Sequence, residues 1–172
     1  MRLIDSKSAI VAAATAIASV LTVTSALIPA SPAQAAEPTS RTFCATMVGP
    51  KSGPDGTLAI LARHCSTTSA DAADALPNVA AATKLMTWYE HAGWKGETED
   101  IYGSDGTCDA TGYRFRTSTY WGVRLSSIRG HGACNKVRLE SFGGNFASSS
   151  LPYTFGATVY NDNVKYVEVW HG

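Results

Sequence analysis

Tyr89-Glu90-His91-Ala92-Gly93-Trp94-Lys95-Gly96 joins an aromatic residue, a glycine four positions on and a second glycine three positions later, inside a run that otherwise reads as strand. Glycine adopts positive φ without a steric penalty and lets backbone approach backbone, so Gly93 and Gly96 allow the chain to double back over Tyr89. Trp88 and Tyr89 are neighbours on one strand and therefore point to opposite faces. One ring can enter a core while the other lies under the folded hairpin. Tyr89, Gly93 and Gly96 are thus read as structural residues.

Outward from this hairpin, the chain from Leu85 onward carries all four Trp and all seven Tyr. Short β-type runs alternate there with turns rich in Gly, Asp and Ser: 85–91, 97–102, 113–115, 126–129, 136–140, 153–155 and 166–170. Such close spacing predicts an all-β sandwich. Lys165 to Trp170 alternates most clearly, with Tyr166, Glu168 and Trp170 on one side and Val167 and Val169 on the other.

Residues 36–84 differ, being rich in Ala, Ser, Thr and Pro and lacking Trp and Tyr. They are expected to form an N-terminal extension and linker. Asp55 is a candidate N-cap for a short helix on which Leu58, Leu61 and Cys65 recur at helical spacing. The Ala-rich run that follows predicts a helical or loose linker broken at Pro77.

Residues 1–35 read as a secretory signal peptide: Arg2 and Lys7 make a basic start, Ala9 to Ile28 an apolar region, and Ala33-Gln34-Ala35 a small-x-small cleavage pattern. The apolar region is also about long enough to cross a bilayer. Its Ala, Ser and Thr content and the break at Pro32 favour export with cleavage, giving a secreted, extracellular protein without a membrane association. Cleavage leaves 137 of the 172 residues, enough for one domain with a core. Setting aside Arg2, Lys7 and Asp5 from the 14 basic and 14 acidic side chains leaves 12 and 13. Near-neutrality argues against nucleic acid, whose phosphates demand a basic excess.

Cys44, Cys65, Cys108 and Cys134 all follow the cleavage pattern, and an even count in an exported chain implies disulfides. Three pairings are possible. Cys44–Cys65 and Cys108–Cys134 each close a local loop and are the expected pairs. Zinc is disfavoured because no Cys-x-x-Cys knuckle is present.

Taken together, residues 85–170 resemble the βγ-crystallin-like proteins, and among them the exported actinobacterial proteins grouped with the Streptomyces metalloproteinase inhibitor. The resemblance is carried by Tyr89-x6-Gly96 with Glu90, Gly93 and Trp94 inside it, by Ile101 to Tyr113, and by Tyr120-Trp121 with Ser126 to Arg129. It implies a sandwich of two Greek-key motifs in residues 85–172, preceded by a short disulfide-tied, partly helical extension. The second hairpin departs from the pattern, since Leu139 stands where an aromatic belongs and Gly143 and Gly144 fall early.

The resemblance also raises calcium, held in that family by an (Asn/Asp)-(Asn/Asp)-x-x-(Ser/Thr)-Ser run in each motif, with oxygen ligands suited to a hard cation. Gly122 to Ser127 keeps the serines and lacks the acidic pair, whereas Asn161 to Tyr166 keeps the acidic pair and lacks the serines. If the sites are shared between motifs, Ser126 and Asp162 form one degenerate calcium site. Val123 and Lys165 form the other, which cannot hold a dication and sets an ammonium in its place. The alternative is that these residues only satisfy backbone groups in turns.

For catalysis the chain offers His64, His91, His131 and His171, but no Gly-x-Ser-x-Gly and no His-Glu-x-x-His. The expectation is a protein that is not an enzyme; convergence of His91, His131 and Glu90 in a cleft would argue otherwise. Charge is segregated: residues 90–109 hold six carboxylates against Lys95, while residues 110–139 hold six cations and no carboxylate.

Small proteinase inhibitors present a loop whose shape is fixed before binding, so little entropy is lost on docking. Cys108–Cys134 could brace such a loop at 103–111 or 129–135. The leading expectation is a secreted, monomeric, disulfide-stabilised β binding module without cofactors, and the resemblance implies an extracellular metalloproteinase as its target. The alternative is a structural or killer-toxin-like secreted protein binding envelope glycans or membranes. A surface platform of Trp94, Tyr120 and Trp121 would favour glycan; their burial would favour the inhibitor or a plain scaffold.

Overall fold

A computed structural model describes residues 41–51 and 56–172. The expected leader, its expected cleavage point and the candidate cap Asp55 lie outside the described residues. The strands are β1 (Phe43–Val48), β2 (Ile60–Ser66), β3 (Thr83–His91), β4 (Lys95–Gly103), β5 (Tyr113–Arg116), β6 (Ser127–Gly130), β7 (Lys136–Glu140), β8 (Phe146–Ser150), β9 (Tyr153–Thr154) and β10 (Tyr166–Trp170). Two short helices, α1 (Ser69–Asp74) and α2 (Thr119–Gly122), and a 3-10 turn at Val79–Ala81 complete the described elements.

The strands form two sheets, ordered β2-β1-β4-β3-β6-β9 and β5-β10-β7-β8. From β3 onward the order has an internal repeat. In the run β3–β6, as in β7–β10, the first strand lies between the second and fourth, and the third strand leaves to edge the opposite sheet. Inward residues of the two sheets meet in one core, in which Trp88 stacks on Phe115 at 5.6 Å between centroids and meets Trp121 edge-on at 5.9 Å. Val137, Leu139, Val167 and Val169 alternate into this core with polar neighbours facing out, as the period of a half-solvated strand demands.

The Tyr89–Gly96 stretch doubles back as its glycines predict. Gly93, Trp94 and Gly96 all have positive φ, of 71°, 67° and 82°. Trp94 folds over Tyr89 with centroids 5.6 Å apart, Arg129 lies over the indole at 5.1 Å, and Ser127 Oγ donates to His91 O at 2.8 Å. A Cβ at Gly96 would come within 2.9 Å of Glu90 Cβ, whereas one at Gly93 would meet nothing within 4 Å. Gly96→Ala is therefore expected to lose about 2–3 kcal/mol, from left-handed strain plus crowding, and Gly93→Ala only about 1 kcal/mol from strain alone. Urea denaturation of both variants checks this; equal losses would rule out the crowding.

The N-terminal extension departs from expectation: Phe43–Val48 is a strand of the larger sheet, and Val48 and Leu58 pack in the main core. Leu58 to Cys65 does not form a helix: residues 60–66 are β2, antiparallel to β1, while β1 runs parallel to β4. Phe43 to Val48 is largely buried and offers an unpaired edge, and satisfying that edge outweighs a weak helical spacing. The Cys44–Cys65 disulfide joins residues that are direct partners in the ladder. Helix falls instead at α1, capped by Thr68 accepting from Asp71 N, and α1 sets Ala72 and Leu76 over Ala45 and Met47 on the outer face of the larger sheet.

Candidate functional site: a disulfide-braced loop pair

Two loops emerge side by side where β4 and β6 end. The first, residues 104–112, leads from β4 to β5; the second, residues 131–135, leads from β6 to β7. Cys108–Cys134 joins them, and both sulfurs sit in the core. The remaining ties are spread along both loops. Ser104 N donates to Val48 O at 3.2 Å, Tyr113 Oη to Gly106 O at 2.6 Å, and Lys51 Nζ to Thr107 O at 2.8 Å and Asp109 Oδ2 at 2.9 Å. Asp109 Oδ1 accepts from Thr111 N and Gly112 N, the self-closing turn that Asp favours. In the second loop Cys134 N donates to His131 O, and Asn135 N to Trp170 O. His171 N donates to Asp109 O, so the strand end after β10 holds both loops.

The exposed residues of the first loop are Ser104 to Thr107, with Asp105 and Gly106 between them, and Asp109 to Thr111 beyond the buried Cys108. Such a loop arrives at a partner with little conformational freedom left to lose.

Burial pushes the Tyr113 phenol up to about 12, so it remains a neutral donor to Gly106 O at all ordinary pH. The Asp109 carboxyl is held below the usual carboxylate range, first by its hydrogen bond from Lys51 and then by the amide of Gly112. A depressed folded value means that the ionised form holds the loop. Its contribution is present above the unfolded value near pH 4 and is lost as pH falls through the folded one.

Ser126 and Asp162 do meet: Ser126 Oγ donates to Asp162 Oδ1 at 3.0 Å, with Asp162 at a positive φ of 56°. Asp162 borders a shallow depression of about 300 Å³, lined also by Glu90, His91, Val123 and Arg124. A calcium ion wants six or more oxygens, and these residues do not supply them freely. Glu90 Oε1 is already engaged by Arg124 Nη1 at 2.7 Å, and His91 O accepts from Ser127. In the corresponding place on the other half, Lys165 Nζ lies 3.4 Å from Glu140 Oε1. Each half thus sets one of the chain's own cations against the glutamate at the end of its first strand. Among the described residues no three Asp, Glu, His or Cys side chains converge as a metal set. Millimolar calcium is accordingly expected to leave the thermal midpoint unchanged; a ligand selective for the folded state would raise it, and a rise of several degrees would overturn this fit.

The histidines stay apart. His91 lies 3.9 Å from Glu90 at one end of β3, whereas His131 packs near the other end, its Nε2 2.8 Å from Thr87 Oγ1, which donates to Asp100 at 2.6 Å. Burial, then Lys84, lowers the His131 pKa and favours the neutral ring in this network. His171 Nδ1 is spent on Ala133 O at 3.0 Å. Nor do Trp94, Tyr120 and Trp121 make a platform. Trp121 is buried, Trp94 lies between Tyr89 and Arg129, and Tyr120 is half-buried with its hydroxyl on Glu97 and Arg124 over its ring.

Sequence reasoning missed the part played by Lys51 and His171 in the loops, because both are far along the chain from the residues they hold. The spacing of Cys108 and Cys134 was the only local sign. Compared with known proteins, the chain matches no family model, no curated protein and no solved structure.

Proposed function

We propose that this is an exported, non-catalytic binding module of βγ-crystallin-like build, with two Greek keys, whose working part is the disulfide-braced loop pair and whose target is an extracellular metalloproteinase. The fold reading is supported by the exchange of the third strand of each four-strand run and by the Tyr89–Gly96 hairpin pinned by Ser127. Export is supported by the leader-like start and the two disulfides. The observation that carries the activity is the tying of residues 104–112 through disulfide, side chain and backbone while Asp105 and Gly106 stay exposed. A protease inhibitor works by that combination, an accessible loop with its freedom already removed.

The test is residual activity of thermolysin over a titration of the mature protein. A stoichiometric fall in activity, relieved in Asp105→Trp without change in unfolding midpoint, is expected. Undiminished activity at molar excess overturns the metalloproteinase target, and equal inhibition by Asp105→Trp overturns the loop as the contact.

A further inference from the structure

The outer faces of the two sheets are treated differently. That of the larger sheet is covered by α1 at one end and by the folded hairpin at the other. That of the smaller sheet lacks such a cover among the described residues. Its hairpin, Ser141 to Asn145, closes on itself through Ser141 N to Asn145 O and Gly144 N to Ser141 O, and Phe142 leans on Gly122 instead of over the strands.

Residues paired across a sheet share a face, which fixes what this one carries. Arg116 and Arg114 on β5 stand beside Tyr166 and Glu168, which stand beside Glu140 and Arg138. Trp170 pairs with Lys136, and Lys136 with Ser150. Four cations therefore face two carboxylates on a chain that is neutral overall. Glu140 is engaged by Arg114 and by Lys165, and Glu168 by Arg138, while Arg116 and Lys136 have no carboxylate partner among the described residues. At one end the face dips into a trough of about 360 Å³ lined by Trp170, Lys136 and Ser148 to Ser150.

We infer that this face binds an anionic polysaccharide. The chemistry of the trough suits a charged pyranose: the indole of Trp170 takes the apolar face of the ring, the serine hydroxyls take its hydroxyls, and Lys136 takes its carboxylate or phosphate, with Arg138 and Arg116 along the same face for neighbouring units. An acidic protein fits less well, because a protein interface needs a water-excluding apolar centre. Here the centre is the Arg138–Glu168 pair, whose side chains are 53% and 24% exposed.

Electrophoresis of the native protein through gels containing polygalacturonate, neutral dextran or polyglutamate tests this, and does not depend on what the loop pair binds. Retardation by polygalacturonate that weakens with salt, and none by dextran, is expected. Trp170→Ala, outside the core, should weaken binding roughly tenfold, the loss of one aromatic contact, and Lys136→Glu should abolish the retardation. Unaltered mobility in polygalacturonate overturns the inference. So does retardation undiminished in Trp170→Ala, and so does equal retardation by polyglutamate, which would make the face a contact for acidic proteins.

Discussion

Arg63→Met is expected to cost about 3–5 kcal/mol, and Arg63→Met combined with Glu99→Met to restore most of that loss. Glu99 stands on the inward face of β4, its side chain only 3% exposed, level with Cys44 on β1 and Trp88 on β3. Its carboxylate is held by Arg63 Nε at 3.0 and 3.1 Å and by Nη2 at 2.9 Å, and accepts the Thr46 hydroxyl as well. Arg63 reaches it from β2 across the whole width of β1, so one forked ion pair ties the outermost strand to the sandwich. The Arg63 side chain is 34% exposed, and solvent screens its share of the attraction. The loss therefore arises mainly from leaving a desolvated carboxylate unpaired, and removing that carboxylate should undo it. Urea midpoints at constant slope read the result. A double variant as weak as the single one would assign the loss to packing.

Trp88→Ala should cost about 3–5 kcal/mol, the range for deleting a buried aromatic. Trp88 is 2% exposed. Its near-parallel contact, 14° between planes, is with Phe115 on β5, a strand of the first four-strand run that edges the opposite sheet. Its edge contact is with Trp121 on α2, and its Nε1 donates to Met86 Sδ at 3.0 Å. One ring thus joins both sheets and the helix between β5 and β6. Trp88→Phe keeps the stack and loses the far edge, so it should cost less than half as much. Urea denaturation followed by near-ultraviolet circular dichroism separates the two; similar costs would mean that the stack with Phe115 adds little.

Part of this fold was legible because local chemistry dictates it. Gly93 and Gly96 announce the folded hairpin, and the alternation of Tyr166 to Trp170 marks β10 with the bounds the structure gives it. The complementary halves at Ser126 and Asp162 foretold residues that do lie in contact. What escaped depends on partners distant in sequence. β8, Phe-Ala-Ser-Ser-Ser, has no β-branched residue and is a strand because β7 offers its edge. β2 read as helix from Leu58, Leu61 and Cys65 until the edge of β1 is known. Arg124 on Glu90 and Lys51 on Thr107 bridge 34 and 56 positions, which no local pattern records.

The central claim is that the loop pair is rigid before any partner arrives, and amide hydrogen exchange in the free protein tests it most directly. The amides of Thr111, Gly112, Cys134 and Asn135, which donate to Asp109, His131 and Trp170, should be protected like those of a strand. Lys51→Ala should release Thr111 and Gly112 first, through Asp109. Exchange of these four amides at the rate of an unstructured peptide, in the intact disulfide-bonded protein, would contradict the account.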